Sequence, residues 1–259
     1  MLAAAQRGGG LLRLEAAVGL VQRGSQVTVV HALDRLMERQ LDAEAAGLLA
    51  RRLEEKGISF ALEAVTSEIE GVGRVLGVRL RDGRRIAADI LVMAVGIRPE
   101  VALAREAGLA VGRGITVDAA MRTSDDAIFA VGECAEHEGQ CIGLVASAFA
   151  QAEVAAAVLT GDTAHYVAEV DATALKVAGA GVWFAGVIAA DDGEIIIYRD
   201  PEAGEYREFR LRGGHLVAAL LYGQTGEAAW YRGLIDGGAA IGDLRAALPF
   251  GRAYAEIGA

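Results

Sequence analysis

Hydrophobic and polar positions follow three rhythms along the chain. Residues 8–23 predict a turn and then a mostly apolar helix, with Leu11, Leu14, Val18, Leu20 and Val21 at its apolar positions and Gly24 as its stop. A β-branched run follows at 26–31 (QVTVVH), the kind that fills a buried parallel strand. Residues 41–57 (LDAEAAGLLARRLEEKG) predict a helix with Asp42 as N-cap and Gly57 as C-cap, and 58–62 (ISFAL) the next strand. The rhythm then shifts to strict alternation at 64–71, 74–83 and 84–89, an antiparallel meander with an Asp82-Gly83 hairpin turn. An apolar strand over 89–99 closes the zone at Gly96. Residues 1 to 97 thus predict β-α-β-α-β, a meander and a final β, which is a Rossmann-type nucleotide-binding unit within an α/β fold.

Residues 98–165 form a second zone, with a strand at 127–131 and an apolar helix at 144–159. That helix, LVASAFAQAEVAAAVL, is too short for a membrane span and carries Gln151 and Glu153 near its centre, so it is expected as a buried helix. From 166 to 259 the texture is that of a small α+β unit. Strands at 194–200 and 206–223 are separated by turns at 200–202 and 213–214, and a helix is expected at 225–235.

Composition narrows the function. The 259 residues carry 35 acids against 25 bases, a net charge of −10, which argues against general nucleic-acid binding. No basic start with a long apolar run marks a secretory signal, so no membrane association is expected. Two cysteines, Cys134 and Cys141, fit a reducing cytoplasm; their C-x6-C spacing has no His/Cys cluster nearby and predicts no metal site.

The stretch GGGLLRLEAA carries the first chemistry. A dinucleotide turn needs glycine for a tight bend, and a second glycine where the pyrophosphate approaches the backbone at a helix N-terminus. Gly8 and Gly10 fill those positions, and Leu11 and Leu12 open the helix. The third glycine position holds Arg13. It is expected to cost close helix–strand packing, with its guanidinium near the phosphates as partial compensation. The residue for the adenosine ribose, usually an acid about 20 positions on, falls at His31, with Arg35 close by. NAD and NADP both stay open, and His31 could equally be a polar residue that ends a strand. In RTSDDAIFAVGE, residues 122–133, the strand ends at Gly132 and delivers Glu133. That acid suits sugar or ribityl hydroxyls, or it is a surface acid after a buried strand.

The segments GGGLLRLEAAVGLVQRGSQVTVV, LMERQLD, AVGIRP and TSDDAIFAVGECAEHEGQCIGLVASAFAQAE resemble the FAD-dependent pyridine nucleotide-disulfide-reductase-like flavoproteins. The branch is that of the flavin portion of assimilatory NAD(P)H-nitrite reductase large subunits and nitrate reductase electron-transfer subunits. The resemblance implies a Rossmann-type NAD(P)-binding domain over 1–97, the second half of an FAD-binding domain over 98–165, and a C-terminal α+β interface domain over 166–259. It implies hydride transfer from NAD(P)H to FAD, and electrons passed to a redox partner carrying an iron-sulfur, sirohaem or molybdenum centre. It places Glu15 near nicotinamide and flavin, Gly96 on the strand that re-enters the FAD domain, and Gly132 and Glu133 in the second FAD motif. A homodimer through the C-terminal unit is a further implication.

Two departures temper this. The glycine turn that holds the FAD pyrophosphate in the family is not in this sequence, and the strand before Gly8 reads AAAQR rather than a solid apolar run. The chain is therefore expected to be an N-terminally truncated or internal piece of the family pattern, with FAD held weakly or not at all. The alternative is a non-catalytic nucleotide-binding or subunit-docking module without flavin. An unrelated Rossmann dehydrogenase would need a catalytic Tyr/Lys or His/Asp set, and none has convincing spacing.

Overall fold

The computed structural model describes residues 2–4, 10–38, 40–94, 96–168, 172–177, 179–186, 193–238 and 240–257. The chain divides into two compact units, one made of Met1–Gly96 with Val170–Ala259, the other of Ile97–Glu169.

The first unit opens with β1 (Leu2–Ala4), α1 (Gly10–Val21), β2 (Val27–Val30), α2 (Ala43–Glu54) and β3 (Ile58–Ala61). The meander follows as β4 (Thr66–Glu70), β5 (Gly77–Leu80) and β6 (Arg85–Ala87), and then β7 (Ile90–Leu91). Strands β3-β2-β1-β7 form one parallel sheet in that order. Successive strands wind outward from β1 on one side while β7 lies on the other, so the switch point falls at β1 and β7. Helix α2 follows the expected pattern at its start, but it ends at Glu54 with Glu55, not Gly57, as its C-cap. Asp42 caps it by accepting the Ala45 N–H at 2.8 Å, and Ala45, Ala46, Leu49 and Leu53 form its buried stripe. Its last turn gives way to Gly57, whose φ of +91° makes the reversal into β3. Among the described residues, the strand expected over 89–99 pairs at Ile90 and Leu91, with Leu2 and Ala3 of β1 as register partners.

The second unit holds α3 (Ala102–Glu106), β8 (Ile115–Val117), β9 (Ala135–His137) and α4 (Val145–Leu159). The strand expected at 127–131 is reduced to a single bridge, Arg122 to Phe129. The parallel partner of β8 is instead β9, which begins four residues past Val131. A small core of Val117, Met121, Ala130, Ala135, Ala155 and Tyr166 supports them.

The chain then returns to the first unit with β10 (Ala172–Val177), β11 (Ala180–Gly186), β12 (Glu194–Asp200), β13 (Glu205–Arg212), β14 (His215–Gly223), α5 (Ala228–Gly237) and α6 (Arg252–Ile257). The strands form an antiparallel sheet in the order β10-β11-β14-β13-β12. Central β14 reads HLVAALLYG, apolar at nearly every position, because both faces of the sheet are covered. Val182, Phe184, Leu220 and Tyr222 face α1 and α2 within the nucleotide unit's core. Trp183, Phe209, Leu211 and Leu221 face Tyr231 of α5 and Leu248. The expected first and third segments therefore share one core.

Polar contacts fix that docking. Arg199 donates two 2.7 Å hydrogen bonds to Glu44 on α2, and the Tyr222 hydroxyl donates to the Leu48 carbonyl at 3.2 Å. The Tyr206 hydroxyl donates to Asp42, the residue that caps α2. Tyr206→Phe should cost about 1–2 kcal/mol of stability, since it leaves a carboxylate oxygen in the interface without its donor. Urea unfolding measures it, and an unchanged midpoint would show that the contact contributes nothing.

Candidate functional site

Helix α1 follows β1 in the chain and begins at the carboxyl edge of the parallel sheet. Gly10 is its first residue and Leu11 and Leu12 continue the first turn; Gly8 lies outside the described residues. No acid stands in that first turn, so the positive dipole end keeps its affinity for an anion. Glu15 is exposed one turn further along.

Arg13 is buried. It is 4% exposed and lies in the seam between α1 and the sheet, beside Ala17, Val27, Val29 and Val92. Its Nη1 donates to His31 Nδ1 at 2.8 Å and its Nη2 to the Ala94 carbonyl at 3.2 Å. The expectation that the guanidinium compensates near the phosphates is thus corrected: a side chain that replaces the third glycine fills the helix–strand seam and finds its acceptors there.

His31 follows β2 and is 3% exposed. Its backbone N–H donates to the Ala61 carbonyl and its carbonyl accepts from Ala64, both at 2.9 Å. A guanidinium has only donors, so Nδ1 must accept and the imidazole proton sits on Nε2. Nε2 lies 3.3 Å from Glu38 Oε2. Burial pushes the His31 pKa down and the Arg13 charge pushes it further, while Glu38 and the Arg35 backbone pull the other way. Burial also lowers the Arg13 pKa, opposed by Glu38. The Arg35 side chain is half-buried and pairs with neighbouring Asp34 at 3.2 Å.

Glu38 is the group that motif reasoning missed. It lies within LMERQLD, seven positions past the residue that the motif assigns to the ribose. Only folding brings it back to the tip of β2.

In the second unit, Gly132 has φ of +83° and opens a single turn of 3-10 helix, Gly132–Cys134, on which Glu133 is exposed. The Gly132 N–H donates to Gln151 Oε1 at 2.7 Å. Gln151 is 2% exposed. The expectation of a buried α4 is therefore corrected. Gln151 and Ala155 are its buried residues, while Val145 (75%) and Phe149 (67%) stand exposed. The small core beneath α4 contacts one narrow stripe of it, and the buried amide serves the Gly132 turn. Glu133 with Leu144, Val145, Ala148, Phe149 and Ala152 lines a largely apolar hollow of about 240 Å³. The α4 N-terminus there has no side-chain cap and no acid in its first turn. An exposed carboxylate, an apolar wall and free helix amides suit the hydroxyls, ring and electron-rich edge of a flavin. Gly96, exposed with φ of +92°, ends the first unit.

Cys134 and Cys141 are free thiols, half-buried, and burial raises the Cys141 pKa. Among the described residues, no group of three His, Cys, Asp or Glu side chains could hold a metal. Among them also, no helix is long and apolar enough to cross a membrane.

The pattern of the pyridine nucleotide-disulphide oxidoreductases matches residues 7–157, and that of the rubredoxin NAD+ reductase C-terminal domain matches 172–250. The chain is 47% identical over 226 residues to a nitrite reductase [NAD(P)H] of Bacillus subtilis (strain 168), covering 86% of this chain and 28% of that protein. It is 43% identical over 225 residues to the assimilatory nitrate reductase electron transfer subunit of the same organism, covering 86% and 29%. The chain thus spans under a third of these relatives' length. Among solved structures, a ferredoxin reductase from Rhodopseudomonas palustris is similar with a TM-score of 0.81 at 28% identity, over 93% of this chain and 61% of that one.

Two outcomes test this geometry. Because the folded state lowers the His31 pKa from its ordinary 6.5, the unfolded chain takes up the proton first as pH falls. The His31 contribution to stability is fully present above about pH 6.5 and declines below it, toward the lower folded pKa. His31→Gln should flatten the melting temperature between about pH 6.5 and pH 5; an unchanged slope would refute the buried neutral imidazole. Gln151→Leu should cost about 1–2 kcal/mol by orphaning the Gly132 amide. Hydrogen exchange at Gly132 reads this directly, and unchanged protection would refute it.

Proposed function

The chain belongs to the pyridine nucleotide-disulphide oxidoreductase family, and from that premise we propose that it passes electrons from NAD(P)H through FAD to a redox partner in nitrite or nitrate reduction. The observation that carries the proposal is the α1 amide terminus at the carboxyl edge of a parallel sheet, beside the buried Arg13–His31 pair and Glu38. Likeness to the nitrite reductase and the nitrate reductase subunit over 86% of the chain supports the direction of electron flow.

The three stretches take different roles. Residues 1–97 bind NAD(P)H, with Gly8, Gly10, Leu11 and Leu12 at the pyrophosphate, Glu15 toward the nicotinamide, and His31, Arg35 and Glu38 at the adenosine end. Residues 98–165 offer Gly132 and Glu133 to FAD, with Gly96 at the junction. Residues 166–259 act as an interface, between copies of the chain or toward the partner. FAD, when bound, would supply the capacity to accept a hydride, a proton with two electrons, and to release electrons singly or in pairs. The protein's own work is placement. The α1 amides bind and orient the nucleotide phosphates. Glu133 accepts hydrogen bonds from flavin hydroxyls, and the apolar wall of α4 excludes water from the ring. The partner carries an iron-sulfur, sirohaem or molybdenum centre, and two free thiols suit a reducing cytoplasm.

The test is spectroscopic. With FAD in excess and oxygen excluded, NADH or NADPH should bleach flavin absorbance in the presence of the protein, above the rate with free FAD. Nucleotide binding without flavin reduction would favour a docking module instead. Absence of nucleotide binding would overturn the proposal.

A further inference from the structure

We propose that the hollow between the C-terminal end of α2 and the antiparallel sheet is a second ligand site, which takes a small sugar phosphate through Arg51 and Arg52. It shares no residue with the nucleotide site proposed above and does not depend on it.

Chain direction separates the two sites. Helix α2 follows β2 and leads into β3, and those strands are parallel. It therefore runs from the carboxyl edge of the parallel sheet, where α1 begins, back to the amino edge. Arg51 and Arg52 lie in its last turn, at that amino edge. With them, the start of β11, the turn at 201–204 and the segment 223–226 border a hollow of about 960 Å³. Pockets for small molecules span roughly 300–1,000 Å³.

Glycines keep the sheet side of this hollow open. A Cβ on Gly181 would stand 2.9 Å from the Gly223 carbonyl and 2.9 Å from Thr225 Oγ1. Gly223 has φ of +93°, and a Cβ on it would stand 2.6 Å from the Gly204 carbonyl. Side chains would collide at both positions, so this wall is bare backbone.

The opposite wall carries the charge. Arg52 reaches toward the sheet, since its Nη2 would lie 3.8 Å from a Cβ on Gly179. It holds Glu55 at 3.3 Å, an exposed pair of the kind that contributes little and yields to a better partner. Among the described residues, Arg51 makes no hydrogen bond or ion pair. Burial raises the pKa of the Tyr222 hydroxyl, which lines the hollow, while Arg52 and Arg51 draw it down and Glu55 adds to burial. Both guanidiniums are thus within electrostatic reach of that hydroxyl. Glu55 is the one carboxylate among the described lining residues. Glu54, Lys56 and Glu202 are exposed outside the lining. Lys176 stands opposite Gly181 in the β10–β11 register, and its side chain lies outside the described residues.

These groups select the ligand. A phosphate monoester offers three acceptor oxygens and close to two negative charges, enough for both guanidinium forks, whereas a single carboxylate fills one fork. The hollow is far larger than a free phosphate. Its remaining polar lining, the Gln224 amide, the Thr225 hydroxyl, Glu55 and glycine backbone, suits sugar hydroxyls. No ring is offered to a nucleobase: Tyr222, the aromatic residue there, is 6% exposed and donates to the Leu48 carbonyl.

The test is calorimetric titration of the whole chain at constant ionic strength with glucose 6-phosphate and ribose 5-phosphate, and with glucose and inorganic phosphate as controls. At least one sugar phosphate should bind with a Kd below about 1 mM, and both controls at least about tenfold more weakly. Arg51→Gln should weaken that binding about tenfold, and the Arg51→Gln/Arg52→Gln pair should abolish it. Thermal melts show that the variants fold; Arg51→Gln removes an exposed group without an ion-pair partner and keeps the test open if the double variant does not fold. Failure of both sugar phosphates to bind would overturn the proposal, as would unchanged affinity in Arg51→Gln. Inorganic phosphate binding as tightly as the sugar phosphates would reduce the site to an adventitious ion only, and displacement of the sugar phosphate by NADH would place it in the nucleotide site; either result overturns the assignment.

Discussion

A sheet with two apolar faces must be covered twice, and this requirement organises the larger unit. The antiparallel sheet β10–β14 has α1 and α2 on one face and α5 with the Leu248 segment on the other. Burial of Val182, Phe184, Leu220 and Tyr222 against the nucleotide unit removes apolar surface from water on both partners, the dominant favourable term in such docking. The polar contacts then fix register. Asp42 both caps α2 and accepts from Tyr206, so the helix start and the docked sheet share one carboxylate. Glu208, buried on the same face, is held by Arg210 at 2.6 Å, and burial still pushes its pKa up.

Arg13 shows how a motif can be altered without losing its architecture. The third glycine of a dinucleotide turn lets helix and strand approach closely. An arginine there cannot be left unsatisfied in an apolar seam, since a buried charge without acceptors costs several kcal/mol. The chain supplies acceptors from two sequence-distant places, His31 and the Ala94 carbonyl. One residue thereby sets the tautomer of a second.

The smaller unit follows a different economy. Its core is slight, and α4 gives that core only a narrow stripe. The buried polar residue of α4 is Gln151, which serves the Gly132 amide, while Val145 and Phe149 stay exposed beside Glu133. Apolar helix residues kept at the surface next to an exposed carboxylate are the kind of patch that marks a ligand or partner surface.

Local chemistry written in consecutive residues was legible from the chain alone. The β-branched run of β2, the Asp42 cap, the Asp82-Gly83 turn and the alternation of the meander depend on neighbours within a few positions, and the structure carries each of them. The family was legible too, because its motifs are contiguous. Three features were decided only by the tertiary structure. The strand expected at 127–131 yielded to β9, since β8 takes its partner four residues past Val131. The burial of α4 depends on what lies beneath it, which hydropathy does not record. The partners of Arg13, from His31 and Ala94 to Glu38 beyond, lie far from it in sequence, and no spacing rule links them. Periodicity encodes which side of an element is apolar; which distant group meets a buried charge is settled only when the layers close around it.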